Sequence, residues 1–317
     1  MKKVLFATTA LVATAGVAAA DVTFSGQARF GVVHNTTGDG STDITSRFRL
    51  VINATAESDA GVSFGAMARI QQDNDGAATT GARLGADGVA GTADDANFRD
   101  DREETGINGV RFFAKSGGLE VGVGNIFGAL ESMPGMYPID LGLTGHSYDY
   151  TAYNFRGDAY SSDTNGAAGS NGVEVIYSIG DFGIHISASD TNDRVAAHVK
   201  YSYAGYTFAL GGQDSSSAAD TELAASVSGS FGIADVTLAY ADNGTAGDHV
   251  VLAGRFDVGA ATNVEVYVAD ADQWAETSYG IDFNHDMGGG TSLRGGISTG
   301  GSLGDETLVD MGVRFNF

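Results

Sequence analysis

The polar segment GHSYDY, residues 145–150, contains the three residue types of a hydrolase triad, namely His146, Ser147 and Asp149. A triad is built by geometry between segments, and close neighbours in one loop do not readily form its proton relay. The chain has no cysteine, no HExxH sequence and no Cys/His spacing typical of a metal centre. We therefore predict that the protein is not an enzyme.

A second polar stretch, at about residues 73–106, is rich in carboxylates and glycine. Oxygen ligands of this kind suit calcium, and the candidate ligands are Asp73, Asp75, Asp94 and Asp95. No complete EF-hand is present, because the sequence DNDG at residues 73–76 lacks the later ligands of that motif. Two interpretations stay open, a solvated acidic loop and a calcium site, and no other cofactor is predicted.

The composition restricts the partners of the protein. Its formal net charge is −23 at pH 7, from 40 acidic and 17 basic residues. Such acidity argues against nucleic acid and anionic lipid surfaces as partners. The absence of cysteine excludes a disulfide framework.

The first twenty residues have the pattern of a secretory signal peptide. Lys2 and Lys3 precede an apolar stretch that ends near Val17, and small residues at 18–20 provide a cleavage site. We expect residues 1–20 to be removed, which leaves residues 21–317 as a single domain outside the cytoplasm. After the signal, no apolar run reaches the roughly 18 residues that a transmembrane helix needs.

The rest of the chain is a series of segments of about ten residues in which apolar and polar side chains alternate. Typical examples are Val22–His34, Arg47–Ala56 and Val62–Ile70. Gly, Asp, Asn or Ser follows closely after each segment, which predicts β-strands joined by turns. We count sixteen such strands. Short links alternate with longer polar ones, and this alternation is typical of a transmembrane β-barrel.

The basic residues of the predicted strands test this interpretation. All of them fall on the face opposite the apolar residues, as expected if that apolar face meets lipid. A half-buried soluble sheet alternates in the same way, so a soluble two-sheet protein stays an alternative. The residues are Arg29, Arg47, Arg49, Arg69, Arg111, Lys115, Arg194, Lys200, Arg255, Arg294 and Arg314.

The start DVTFSGQARFGV and the ending GGGTSLRGGISTGGSLGDETLVDMGVRFNF resemble the general porins of alphaproteobacteria. The resemblance implies an all-β fold, a 16-stranded antiparallel transmembrane β-barrel that assembles as a homotrimer in the Gram-negative outer membrane. It also implies that the outer-membrane assembly machinery reads the alternating residues Val313, Phe315 and Phe317. Calcium in surface loops is known in similar porins.

A long segment without a clear strand, residues 126–172, follows the fifth predicted strand. In similar porins this loop folds inward and narrows the channel, and its carboxylates lie across the pore from wall arginines. The resemblance thus makes Glu131, Asp140, Asp149 and Asp158 the loop candidates. The wall candidates are Arg29, Arg47, Arg49, Arg69, Arg294 and Arg314.

These observations predict a passive, water-filled diffusion channel for small hydrophilic solutes and ions. One alternative is a non-conducting outer-membrane barrel with a structural or adhesion role. Another is a secreted soluble β-protein with a calcium-rich loop. Stepwise conductance in a lipid bilayer separates the channel from both alternatives.

Overall fold

The computed structural model describes residues 20–36, 40–74, 106–153, 160, 169 and 171–317, and this part of the chain is mostly β-strand. Sixteen strands are seen in these ranges, with β4 interrupted at residues 108–110. No helix in the same ranges is long and apolar enough to cross a membrane. The strands are β1 Asp21–Asn35, β2 Ser41–Glu57, β3 Ser63–Asn74, β4 Gly106–Ile107 with Arg111–Ser116, β5 Leu119–Gly124, β6 Gly172–Ile179, β7 Phe182–Ser189, β8 Arg194–Tyr203, β9 Tyr206–Asp214, β10 Glu222–Phe231, β11 Ala234–Asp242, β12 Asp248–Gly259, β13 Thr262–Ala271, β14 Ser278–Gly288, β15 Thr291–Thr299 and β16 Thr307–Asn316.

The sheet closes on itself. Each strand is antiparallel to the next, and β1 pairs with β2 on one side and with β16 on the other. Among the described strands, each one is hydrogen-bonded to a neighbour on both sides, which is the condition for a sheet inside a bilayer. The predicted 16-stranded antiparallel barrel is therefore confirmed, and the soluble two-sheet alternative is wrong.

The two faces of the barrel reverse the usual distribution of side chains. Large apolar side chains point outward and are exposed, for example Phe24 at 63% and Ile44 at 72%. Charged side chains such as Arg111 and Glu174, each 1% exposed, are buried on the inner face. An apolar outer band with a polar interior is the arrangement of a transmembrane barrel.

Two strands extend further than their alternation predicts. β2 begins at Ser41, before the predicted start at Arg47, and β3 continues to Asn74. The register pairs Ser41 with Asn35, so the extra residues continue the ladder on the side of the long connections. The apolar alternation does not reach residues 41–46, because the sequence STDITS has polar residues at most of these positions. The second polar stretch therefore begins after β3, and residues 75–105 lie outside the described part.

The seam between β1 and β16 includes the last residue of the chain. The main chains of Phe317 and Gly26 exchange two hydrogen bonds, of 2.8 and 3.0 Å. The Phe317 ring stacks on Phe48 with centroids 5.9 Å apart, and it lies so close to Gly26 that a Cβ there would come within 2.8 Å of it. Phe317 thus belongs to the closed sheet rather than to a loose end.

Candidate functional site

The long segment after β5 runs inside the barrel, as its predicted inward fold requires. Its first part contacts successive strands of the wall, beginning at β6 and ending at β1. The Phe127 amide donates to Glu174 at 3.1 Å, and the Ser226 hydroxyl donates to the Pro134 carbonyl at 2.5 Å. Further along, the Arg29 guanidinium donates to the Leu143 carbonyl at 2.7 Å. The described part of this segment, residues 126–153, is called the inner loop below.

Apolar packing holds the inner loop on one side of the lumen. Leu130, Met136 and Leu141 are at most 2% exposed and belong to one buried cluster with wall residues. Burying each such side chain stabilises the arrangement by roughly 1.5–3 kcal/mol. Each of the strands β8–β13 contributes at least one inward alanine to this cluster, and the set is called the alanine belt: Ala196, Ala209, Ala224, Ala239, Ala241, Ala253 and Ala269.

Glycines create a similar space on the strands that follow the belt. At Gly296, an added Cβ would come within 3.0 Å of the Gly142 Cα. At Gly312, it would come within 2.6 Å of the Leu143 side chain. The inner loop can therefore approach this part of the wall closely only because these positions lack a side chain.

Residues 140–148 of the inner loop are called its tip below. Carboxylates of the wall bind this tip through its backbone amides. Glu265 accepts from the Asp140 amide at 3.1 Å, and Asp282 accepts from the Gly142 amide at 2.6 Å. The inward parity of these acidic residues on β13, β14 and β16 could have indicated the loop-binding sites from the sequence. Only the parity of the basic residues was used in the prediction. The parity of the acidic residues places them on the lumen face, where an unpaired carboxylate would be costly.

Asp310 on β16 is the most heavily bonded of these acceptors. Its oxygens accept from the amides of Leu143, Thr144 and Gly296 and from the Thr144 hydroxyl, at 2.7 to 3.1 Å. His146 Nε2 lies 3.1 Å from Asp310, and both side chains are fully buried. Asp310 therefore fixes the chain direction at the tip.

The backbone at the tip is strained. His146 and Tyr148 have φ angles of +46° and +59°, a region that L-residues other than glycine rarely occupy. Such conformations persist where the surroundings over-determine them. Here the surroundings are Asp310 and Ser298, whose hydroxyl is 2.8 Å from His146 Nδ1.

The Asp149 carboxylate does not face the open lumen, in contrast to its expected position across the pore. It is 4% exposed and accepts from the Ser278 hydroxyl at 2.8 Å and from the Ser302 hydroxyl at 2.6 Å. His249 Nε2 lies 3.1 Å from its backbone carbonyl. Asp149 therefore attaches the returning part of the inner loop to the wall, because a buried carboxylate must be satisfied by donors.

Three of the wall arginines lie together on β2 and β3, and they are called the arginine wall below. Arg47 is ion-paired with Asp73, and Arg49 donates to Gln71. Arg69 stacks over the Tyr160 ring at 4.6 Å. Arg49 also interacts electrostatically with Arg69, with Arg47 and with Tyr148 of the inner loop. This side of the lumen is therefore positive and faces the tip of the inner loop.

Asp140 takes part in a second charged group. Its Oδ2 accepts from Arg294 at 2.8 Å and from Arg314, so the wall arginines near the seam bind the loop directly. Burial alone would raise the pKa of Asp140, but Arg314 and Arg294 outweigh it and lower that pKa below its ordinary value. Asp140 therefore stays ionised, and its charge is compensated locally.

The remaining predicted residues are placed as follows. Arg29 is 7% exposed behind the loop tip and does not line the open side. Glu131 accepts a hydrogen bond from the Tyr137 hydroxyl. Burial raises the pKa of Glu131, and the bond from Tyr137 offsets this only in part. Asp158 lies outside the described residues.

The calcium candidates are separated by the structure. Asp73 belongs to β3 and pairs with Arg47 inside the lumen, which corrects its expected place in a surface loop. Asp75, Asp94 and Asp95 lie outside the described residues.

Of the assembly residues, Phe315 and Phe317 are exposed on the outer face at 37% and 51%, and Val313 pairs with Phe30 across the seam.

The chain is similar in sequence and in structure to known proteins. A family model described as Gram-negative porin matches residues 7–302. A porin from Fuscovulum blasticum is 31% identical over 325 residues, which cover 94% of this chain and 100% of that protein. A porin from Rhodobacter capsulatus is 28% identical with the same two coverages. A solved triple mutant of Rhodopseudomonas blastica porin is 28% identical, has a TM-score of 0.77, and is matched over 94% of this chain and 100% of that one.

Proposed function

Because the chain belongs to the Gram-negative porin family, we propose that solutes pass its barrel between the inner loop and the arginine wall. The protein is an outer-membrane porin, and its barrel is a channel for small hydrophilic solutes and ions. Transport in this proposal is passive, because it needs only diffusion through water, and it includes no catalytic step and no cofactor.

The observation that carries the proposal is the path of the inner loop. Its contacts run along the inside of the wall from Glu174 on β6 to Arg29 on β1. The loop therefore fills one side of the lumen and leaves the side of β2 and β3 as the passage. A narrow passage next to fixed charges selects solutes by size and by charge.

The described charges at the constriction favour anions. The arginine wall contributes three cations, of which Arg47 is paired with Asp73. Across from it, Asp140 is already bound by Arg294 and Arg314. Local charges of one sign raise the local concentration of counter-ions. We propose that this local field opposes the preference for cations that the net charge of −23 would give.

A planar lipid bilayer tests the channel directly. The detergent-folded protein should insert in steps of equal conductance in potassium chloride, and the reversal potential in a salt gradient measures its selectivity. Protein that has been heat-denatured is the control, because it should add no steps. A protein that inserts as a folded barrel but adds no conductance would favour the non-conducting alternative.

A homotrimer and recognition by the assembly machinery are further parts of the proposal. The outward Phe315 and Phe317, which end a closed strand, support an assembly signal that also contacts lipid. Conductance steps in groups of three, together with a cross-linked species of three chains, are the expected result for the trimer.

Export and calcium complete the proposal. Cleavage after Ala20 fits the start of β1 at Asp21, and the mass of the mature protein tests it.

We keep Asp75, Asp94 and Asp95 as candidate calcium ligands and leave out Asp73, which pairs with Arg47. Calorimetric titration with calcium, with magnesium as the control, tests the site.

A further inference from the structure

A cavity of about 290 Å³ lies where the returning part of the inner loop meets the wall on the side of the long connections. We call it the outer aromatic cavity. Its lining includes Tyr148 and Tyr153 of the loop, His249 of β12 and Trp274 of the connection between β13 and β14. It lies on the side of the long connections, which is the outer side of the constriction in the proposed channel, so a solute entering from outside reaches this level first.

The aromatic side chains of the cavity are held in place by their neighbours. Trp274 contacts His249 edge to face with ring centroids 4.6 Å apart, and it packs against the buried cluster of the inner loop. Tyr148 contacts Tyr150 at 5.6 Å. Both Trp274 and Tyr148 are half-buried. Rigid aromatic rings of this kind offer apolar contact area at low entropic cost.

Polar groups surround these rings. Gln273 and Ser302 are exposed and line the cavity, and the Ser302 hydroxyl is oriented by its 2.6 Å bond to Asp149. Thr151 also lines the cavity and is 1% exposed, and its hydroxyl has no hydrogen-bond partner within the described part of the chain. The site therefore combines ring faces with hydroxyl and amide groups, a combination that fixes the orientation of a small ligand.

The charge of the lining narrows the ligand class. Among the described residues, neither Lys nor Arg lines the outer aromatic cavity. Its one carboxylate, Asp149, is 4% exposed and already accepts from the Ser278 and Ser302 hydroxyls, so it offers little free charge to a ligand. A second cavity, also of about 290 Å³, lies at the other end of the lumen and contains Arg255 and Arg294 but no aromatic residue. The two cavities have the same volume, but the described lining of the second one carries charges of both signs, with Glu265 and Asp286 beside its arginines. A neutral ligand with an apolar face and several hydroxyls fits the outer one, and a pyranose ring has both features.

We propose that the outer aromatic cavity is a binding subsite for neutral pyranose sugars. The ring would lie against Trp274 or Tyr148 through its C–H face, with its hydroxyls towards Gln273 and Ser302. As a substrate subsite, this inference rests on the proposed channel, because the bound sugar is a solute on its way to the constriction. Binding itself does not require that the channel conduct.

Trp274 is the only tryptophan of the chain, so tryptophan fluorescence, excited selectively over the tyrosines, reports on this cavity. The detergent-folded protein would be titrated with methyl α-D-glucopyranoside, with mannitol as an acyclic polyol and with glucuronate as an anionic sugar. The expected result is a saturable change with the glucopyranoside at millimolar concentrations and none with mannitol. A change that is linear and equal for all three solutes would overturn the proposal.

Two variants localise the effect. Gln273→Ala and Ser302→Ala should each raise the glucopyranoside concentration at half-saturation by roughly fivefold, the effect of one lost hydrogen bond. Glu276→Gln lies in the same connection and does not line the cavity, so its titration should match the unmodified protein. An unchanged titration in both cavity variants would place the sugar elsewhere and overturn the proposal.

Conductance distinguishes a failure of the sugar subsite from a failure of the channel. A protein that conducts in a bilayer but shows no saturable fluorescence change keeps the channel and loses the sugar subsite. A protein that binds the glucopyranoside but does not conduct loses the channel, and the cavity is then a binding site without transport. Addition of the glucopyranoside to an open channel should reduce the current in a saturable way, at the concentration found by fluorescence.

Discussion

Asp310 binds more donors of the inner loop than Glu265 or Asp282. Asp310→Ala removes the acceptor of two loop amides and of the Thr144 hydroxyl, and each unsatisfied buried donor costs about 1–3 kcal/mol. We expect the loop tip to leave the wall while the barrel stays closed. In a bilayer, the variant should show larger current fluctuations, and its heat-modifiable gel migration should be retained.

A matched aspartate provides the control for this experiment. Asp305 is exposed in the connection before β16, so Asp305→Ala removes the same charge without touching the loop. Its current traces should resemble those of the unmodified protein. Equal noise in Asp310→Ala and Asp305→Ala would mean that Asp310 does not hold the tip.

The arginine wall makes a prediction about ion selectivity. Replacing Arg47 and Arg49 by alanine removes two positive charges beside the passage and breaks the ion pair of Asp73, which keeps its hydrogen bond from Gln71 at 2.7 Å. The permeability ratio should move towards cations by several-fold, because each local charge acts on ions within about a Debye length. The reversal potential in a potassium chloride gradient measures this shift.

Lys115 serves as the control for the arginine variants. It is a lumen cation near the short turns, its side chain is 49% exposed, and it pairs with Glu120 at 2.9 Å. Lys115→Ala should move the reversal potential much less than the double arginine variant. A shift of equal size would show that total lumen charge decides selectivity, and not the charge at the constriction.

Glu131 makes a prediction about pH. Burial raises its pKa, so on acidification it becomes neutral before an ordinary glutamate does. Asp140, whose pKa is lowered by Arg314 and Arg294, keeps its charge over the same range. Between about pH 7 and about pH 4, the permeability ratio should therefore move towards anions. The same linkage makes protonation of Glu131 favour the folded loop, since the folded state binds that proton more readily.

Glu131→Gln tests the assignment, because it removes the titrating group. Its reversal potential should start nearer the acid value and change less on acidification. Asp140→Asn should not reproduce this behaviour, since Asp140 is not the group that titrates. An unaltered pH dependence in Glu131→Gln would contradict the prediction.

At the level of elements, the inner loop needs space that glycine provides. Gly296 faces the loop, and a leucine there would meet Gly142 and Asp282 within about 3 Å of its Cβ. We expect Gly296→Leu to push the tip away from β15, break the bond between Gly142 and Asp282, and change the single-channel conductance by a factor of about two.

The adjacent Gly295 is a natural control for this variant, because its parity directs an added side chain outward. Its Cβ would come within 3.0 Å of Phe283 and of the Asp310 main-chain carbonyl, a contact as close as that at Gly296 but away from the loop. Gly295→Leu should insert and conduct like the unmodified protein. If both leucine variants change conductance equally, the effect comes from strand distortion and not from the loop.

Lipid outside and water inside impose a period of two on every strand, and this period, together with the alternation of short and long links, predicted the barrel. The boundaries of β2 and β3 were missed because both strands continue where the apolar pattern has ended. The positions of Arg47, Arg49 and Arg69 on the lumen face follow from parity alone. The role of Asp149 does not, because it depends on the folding of one loop against strands more than a hundred residues away.

The alanine belt could have been predicted from the sequence with one more step. Six successive strands carry a small residue of inward parity, which indicates a surface for packing and not one for water. The anchoring of the tip by Asp282 and Asp310 could not have been predicted from the sequence. The donors are backbone amides of the loop, and the direction of these amides depends on the three-dimensional path of the chain.

At the level of the whole molecule, Phe317 joins the closing seam to the outer surface. Removal of Phe317 breaks two backbone hydrogen bonds to Gly26 and the stacking on Phe48. If Phe317 is also an assembly signal, its deletion should reduce the yield in the outer membrane at least tenfold. Refolding of the same variant in detergent should be slowed far less.

Phe317→Leu separates the two roles, because it keeps the backbone bonds and an apolar side chain. A low yield in cells with normal refolding would support recognition of the aromatic ring. Normal yields for Phe317→Leu in cells would show that the backbone seam is sufficient. Quantification of heat-modifiable protein in isolated membranes measures both variants.

The register that joins β1 to β16 pairs Gln27 with Asn316 and Asn35 with Leu308, residues at opposite ends of the chain. Contacts of such high sequence separation form late and make folding slow. Until they form, the sheet has two open edges, and open edges invite pairing with other chains. A chain interrupted anywhere before β16 keeps both edges permanently, so aggregation rather than a smaller pore is the expected fate of every truncated product.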